Sequence, residues 1–285
     1  MQREPVSAAC FGEVLWDILP EGKILGGAPL NACYHLIKSG LSSTIITSIG
    51  NDPSGKEIRE IMLQRGICTD LVQETLQYPT GYVLAEPGPG GETTYRFGED
   101  LAWDHIAVTA ENRLAVSQAD YFIFGTLAAR SAESRRSLFA LLELAPTPVL
   151  DINLRPPHVD YNLLPRLLQH ASILKLNESE LELLASLFAC SGNTKHQVAQ
   201  LAASFGISEI ILTCGAKGAL VWKDGNTWSH PGFRVTVADT IGSGDAFLAA
   251  YLAGRATGES MESRLERANR LAAFVTTKQG ACPAY

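Results

Sequence analysis

The sequence has 285 residues, with 23 Lys and Arg against 30 Asp and Glu for a formal charge of −7; it is 46% hydrophobic and 19% charged. That balance excludes a disordered or solvating chain and leaves enough apolar residues for a large core in one or two domains. The acidic excess and the scattered Lys and Arg argue against a nucleic-acid partner, because a phosphate backbone wants a basic face.

Short β-branched runs alternate with helical stretches along the chain. IITSIG at 45–50 precedes KEIREIMLQRG, and YFIFG at 121–125 precedes SAESRRSLFALLELA. PVLDIN at 148–153 comes next, then SILKLN at 172–177 leading into ESELELLASLF, and QVAQLAASFG into IILTCG at 210–215. Continuous apolar strands between amphipathic helices predict a mostly parallel sheet covered on both faces. Asn177 before Glu178 and Glu180 reads as a helix N-cap with an acidic first turn. Lys223-Asp224-Gly225-Asn226 reads as a hairpin turn. FRVTVAD at 233–239 reads as a strand running into an Ala-rich helix.

Two excursions break this rhythm. Residues 8–33 run strand, loop and Gly26-Gly27-Ala28-Pro29, and residues 80–97 read as two strands about the turn Pro87-Gly88-Pro89-Gly90-Gly91. They predict a small β-rich lid, with segments at about 12–33 and 79–104, on a single domain spanning 1–285. The chain shows no apolar run near the roughly 20 residues that span a bilayer and no signal-peptide pattern at its start. Cys10, Cys33, Cys68, Cys190, Cys214 and Cys282, with no CxxC, read as free and mostly buried thiols of a reducing compartment, so a cytoplasmic location is expected.

The chemistry concentrates at Asp239-Thr240-Ile241-Gly242-Ser243-Gly244-Asp245. Small residues opening a helix let backbone N–H groups approach an anion, and Asp245 then stands where a carboxylate can take a proton from an attacking hydroxyl. Read alone, the same residues are equally a glycine turn with an acid favouring the helix dipole. Gly50 to Lys56 matches GxxxxGK but continues to Glu57 in place of the Ser or Thr that ligates Mg²⁺ in a P-loop, and a Glu there repels phosphate, so a P-loop is rejected and Lys56 is expected at the surface. GxGxxG fails because Phe247 follows Gly242-x-Gly244, and the six His show no zinc spacing.

Asp239-Thr240-x-Gly-x-Gly-Asp245 resembles the C-terminal signature of the ribokinase-like (PfkB) carbohydrate kinases, and Gly26-Gly27-Ala28-Pro29-Leu30-Asn31 resembles their N-terminal glycine signature. Between these lie Asp151-x-Asn153-x-Arg155, Asn177-x-x-Glu180 and Thr213-x-Gly215-x-x-Gly218, similar to family motifs and in family order; Gly50-x-Asp52-x-x-Gly55 resembles the family's turn after a strand. The resemblance runs from Gly12 to Gly280 and implies a three-layer α/β/α ribokinase-like fold.

It implies Asp245 as general base toward the γ-phosphate of ATP and an anion hole at Gly242, Ser243 and Gly244. ATP would be bounded by Asn177, Thr213, Gly215, Gly218, Asn269 and Gly280, with Mg²⁺ held through water by Glu180 and a K⁺ ion beside Asp239 and the Ile241 carbonyl. Asp17, Gly27 and Asn31 would hold the sugar, with close approach of the sugar explaining Gly26 and Gly27, and Arg96 and Arg155 would reach acceptor or phosphates. The opening Gly12-Glu13-Val14-Leu15-Trp16-Asp17 and the Pro in GGAPLN look most like fructokinases, which implies phosphorylation of D-fructose at its 6-hydroxyl. The alternatives are a kinase for ribose, 2-keto-3-deoxygluconate or adenosine, or a catalytically silent sugar- or nucleotide-binding regulator. Open lid edges also invite a homodimer. With five residues after Gly280, a short closing segment is expected.

Overall fold

The computed structural model describes residues 6–20, 22–87 and 93–285. Strand β1 (Ser7–Phe11) lies inside a nine-stranded sheet, flanked on one side by β4 (Ser42–Gly50) and β5 (Val72–Thr75). On its other side follow β8 (Tyr121–Gly125), β9 (Pro148–Asp151), β10 (Ile173–Asn177), β11 (Glu209–Thr213), β12 (Ala219–Lys223) and β13 (Asn226–His230). All neighbours pair in parallel except the last two pairs. The β12–β13 turn has positive φ at both Asp224 and Gly225, the backbone that a two-residue hairpin loop requires.

Helices cover both faces, as near-continuous apolar strands demand. One core packs β1, β4 and β8 against α1 (Ala28–Lys38), α2 (Pro53–Gln64), α8 (Ser243–Ala256) and α9 (Met261–Thr276). The other packs the opposite faces against α3 (Ala110–Gln118), α4 (Ala132–Leu142), α5 (Leu164–His170), α6 (Glu178–Leu187) and α7 (Thr194–Phe205). Helix starts follow the side chains available: Asp52, Thr109, Ser131, Asn177, Asn193 and Ser260 each accept a first-turn backbone N–H.

A second, four-stranded sheet of β3 (Gly22–Gly26), β2 (Leu15–Leu19), β6 (Gly81–Pro87) and β7 (Thr93–Phe97) lies in the order β3-β2-β6-β7. Its strands end sooner than the stretch read as lid at 12–33, because Pro29 at the first turn starts α1 at Ala28. The Pro-Gly turn falls largely outside the described residues. The lid is rooted at the start of α2. The Asp52 carboxylate accepts the N–H of Gly55 at 2.8 Å and of Thr80 at 2.9 Å, and the Trp16 indole donates to the Ser54 carbonyl at 3.2 Å. Lys23 pairs with Glu57 and lies over the Trp16 ring. Trp16 is thereby packed on the side of α2.

Two local expectations change. FRVTVAD forms no strand; 231–240 is an extended, largely exposed coil whose Ala238 and Asp239 N–H groups donate to the Thr276 carbonyl at the end of α9. Its alternating Phe233, Val235 and Val237 mimic a half-buried strand, but among the described residues no strand pairs with it. Of the cysteines, Cys10 and Cys33 alone are buried; Cys68 is exposed and the other three are intermediate, so "mostly buried" is corrected, while all six are free.

Candidate active site

Beyond the carboxyl ends of β1, β9 and β10, where open parallel sheets place their ligands, a cleft of about 680 Å³ opens between the large sheet and the lid. Register explains the lid's contribution. Asp17 on β2 stands opposite Val83 on β6, which stands opposite Phe97 on β7. These three form one row across the lid and all line the cleft, with Leu15 two residues before Asp17 on the same face. Arg96 belongs to the alternate face and does not line the cleft.

Asp245 lies in the first turn of α8, where helices leave N–H groups without internal acceptors. It is 9% exposed, and the Asn31 amide donates to its Oδ2 at 2.9 Å. Burial, and then the Asp151 charge, raise its pKa to about 6, against the opposing pull of Lys175. Gly242 caps the helix at φ 76, and Gly242 and Gly244 both line the cleft. Ser243 turns away: its Oγ donates to the Thr240 carbonyl at 2.8 Å, so it contributes backbone only.

Lys175, which carries no motif, sits beneath this turn. It faces Asp151 directly across β10 and β9 and bonds both carboxylate oxygens, at 2.8 and 3.0 Å. A Cβ on Gly244 would stand 2.9 Å from its Nζ, so a glycine there makes room for the ammonium. Burial alone would lower the Lys175 pKa, but the Asp151 and Asp245 charges outweigh it and raise it. A lysine closing an otherwise apolar strand core in SILKLN was the available signal.

Asp17 also has its pKa raised to about 6, mainly by burial. Gly27 is required by the chain itself, and Gly26 leaves room for the Asp17 carboxylate. A Cβ at Gly26 would stand within 2.3 Å of Asp17 Oδ2, and one at Gly27, already at φ 115, within 2.3 Å of the Glu13 carbonyl. Close approach of neighbouring chain thus accounts for Gly27 without a sugar, and Gly27 also lines the cleft. Glu13, to which no role was assigned from sequence, lines the cleft as well and is lifted by burial to about 7.

On the other side, Asn177 lines the cleft and caps α6. Glu180 completes that capping box through the Asn177 N–H at 2.8 Å and accepts the Leu154 N–H at 2.9 Å, tying the loop that bears Asn153 and Arg155 to α6. Burial raises its pKa. Asn153 and Arg155 line the cleft. Asp239 folds onto its own loop, accepting the N–H of Ile241 at 2.9 Å and of Gly280 at 3.0 Å.

The cleft thus brings together Asp17, Gly27, Asn31, Arg155, Asn177, Ile241, Gly242, Gly244 and Asp245. Thr213, Gly215, Gly218, Asn269 and Gly280 lie outside its lining. Thr213 is still adjacent to Asn177 in the sheet register, and the Asn269 amide is spent on the Leu265 carbonyl.

Residues 11–285 match the family described as pfkB family carbohydrate kinase. The chain belongs to this family. A fructokinase of Escherichia coli is 28% identical over 96% of this chain and 94% of its own length. A ribokinase of Haemophilus influenzae is 23% identical over 90% of this chain and 82% of its own. The crystal structure of a Xylella fastidiosa fructokinase with bound ATP superposes with a TM-score of 0.85 at 23% identity, covering 97% of this chain and 94% of that one. The fold is therefore ribokinase-like, and this family member is a sugar kinase, a phosphotransferase with an alcohol acceptor.

Proposed function

We propose that the protein transfers the γ-phosphoryl group of ATP to a neutral sugar, D-fructose at its 6-hydroxyl. The observation that carries this reading is the placement of Asp245. A buried carboxylate, held by Asn31 at the N-terminus of α8, faces a lid acid, Asp17, across one cleft. With a pKa of about 6, Asp245 is ionised at neutral pH yet basic enough to take the proton of a hydroxyl as it attacks phosphorus. The first-turn N–H groups of α8 then meet the charge growing on the transferring oxygens. Asp17 accepts bonds from neighbouring sugar hydroxyls, and Asn31 both fixes the base and meets the acceptor.

The charges favour a neutral acceptor over a sugar acid. Asp17 and Asp245 line the cleft as carboxylates and Glu13 is half ionised near neutral pH, while of the described lining cations Lys175 is already matched by Asp151, leaving Arg155 for phosphate. For Mg²⁺ the oxygen chemistry fits: each Glu180 oxygen keeps a second lone pair beside the backbone N–H it accepts, suiting an ion met through water and held mainly by the nucleotide phosphates. Bound there, Mg²⁺ would neutralise phosphate charge. Asp239 and the Ile241 carbonyl would hold a monovalent cation behind the anion hole. The test is kcat/KM for fructose, ribose, adenosine and 2-keto-3-deoxygluconate: fructose is expected to lead, and a clear preference for another acceptor overturns the assignment.

A further inference from the structure

Residues 280–285 form a strap that touches both halves of the site. The Gly280 N–H donates to Asp239 Oδ2, and Ala281 presses so closely on Gly242 that a Cβ there would stand 2.5 Å from its own. The Cys282 thiol donates to Asn31 Oδ1 at 3.4 Å, on the amide whose nitrogen holds Asp245. The Pro283 carbonyl accepts the Tyr34 hydroxyl at 2.7 Å. The strap therefore links the anion-hole loop to helix α1, and the loop needs such support, because 231–240 pairs with no strand.

His35 holds this strap. It lies one helical turn beyond Asn31 on the same face of α1 and is fully buried. Its Nε2 is 2.8 Å from the Ala281 carbonyl and its Nδ1 is 2.8 Å from the Tyr285 hydroxyl, with the Tyr285 ring stacked on the imidazole at 5.8 Å and 19°. The carbonyl can only accept, so Nε2–H donates to it, and in the neutral ring Nδ1 then accepts the hydroxyl. Burial lowers its pKa to about 4, which keeps it neutral.

We infer that His35 is a positioning residue for phosphoryl transfer: by clamping residues 281–285 onto α1, it fixes the anion-hole glycine and the Asn31 amide relative to Asp245. Misplacement of such a constellation by about 1 Å costs on the order of 100-fold in rate, whereas acceptor affinity, to which Asn31 contributes one contact, rests chiefly on Asp17 of the lid, which His35 does not hold.

His35→Leu removes both bonds. Its kcat is expected to fall by about 10- to 100-fold with the acceptor KM within about threefold of wild type. His35→Gln, which offers an N–H near the position of Nε2, is expected to recover most of that loss. A folded His35→Leu protein with wild-type kcat overturns the inference, as does a loss shared by KM and kcat that Gln does not rescue. Should His35→Leu fail to fold, Cys282→Val removes only the thiol donor to Asn31. It is expected to lower kcat by about threefold or more, with rescue by Cys282→Ser; an unchanged kcat in Cys282→Val then overturns the inference. The inference rests on Asp245 as base. Near-normal turnover of Asp245→Asn would remove that reading, whereas an Asp245-dependent enzyme indifferent to His35 and Cys282 removes only this one.

Discussion

Asp245→Asn keeps the side-chain shape and an oxygen for the Asn31 amide while deleting the charge, so it separates chemistry from folding. Asp245 moves from an ordinary value of 3.8 to about 6 on folding, chiefly through burial. At about 1.4 kcal/mol per unit, folding with this group ionised costs about 3 kcal/mol. The folded protein holds the proton more tightly than the unfolded chain does. The cost is therefore absent below 3.8 and complete once the pH has risen through about 6. The Asn variant is expected to be more stable than wild type by about 1–3 kcal/mol near neutral pH in urea titrations, with the gap closing toward about pH 4. In a coupled ADP-release assay it is expected to lose at least about 100-fold in kcat. For the wild type, kcat/KM should fall on the acid side with a midpoint at about 6. An Asn variant that turns over normally, or that is less stable at neutral pH, refutes the argument.

Lys175→Met strands the Asp151 carboxylate in a buried strand and is expected to cost about 3–5 kcal/mol in thermal or urea unfolding, with much of it regained in Lys175→Met/Asp151→Asn; a stable single variant would mean the pair is dispensable. If Asp239 and the Ile241 carbonyl hold a monovalent cation, replacing K⁺ by Na⁺ at constant ionic strength should lower kcat, and equal rates in the two salts remove that ion from the account.

Local signals carried the parallel scaffold and the lid because each is written in contiguous residues. Asp224-Gly225 supplies its own hairpin backbone, and Asn177 with Glu180 builds its own capping box. Asp17, Asn31 and Asp245, which the family resemblance singled out, line one cleft. What depends on distant pairing was not readable. Lys175 gains meaning only opposite Asp151, and His35 only once residues 281–285 return to α1. The alternation of Phe233, Val235 and Val237 looks like a strand because periodicity reports side chains and says nothing of whether a neighbour is there to accept backbone bonds. Gly26 and Gly27 were read as leaving room for a sugar, whereas the atoms a Cβ would meet there belong to Asp17 and Glu13.

Several of the lid's described attachments converge on a single short stretch. Asp52 holds Thr80 at the root of one crossing, while Ser54 and Glu57 hold Trp16 and Lys23 of the other. Of the row that lines the cleft, Asp17 and Val83 take no part in that anchorage, while Phe97 meets His158 and packs on the Leu101, Trp103 and Leu127 cluster. The cleft-facing positions Asp17 and Val83 are thus separable from the attachment at α2. Substitution at Asp17 or Val83 would therefore reshape the cleft wall and leave the contacts at the start of α2 in place, whereas one change in that stretch would disturb both crossings of the lid at once.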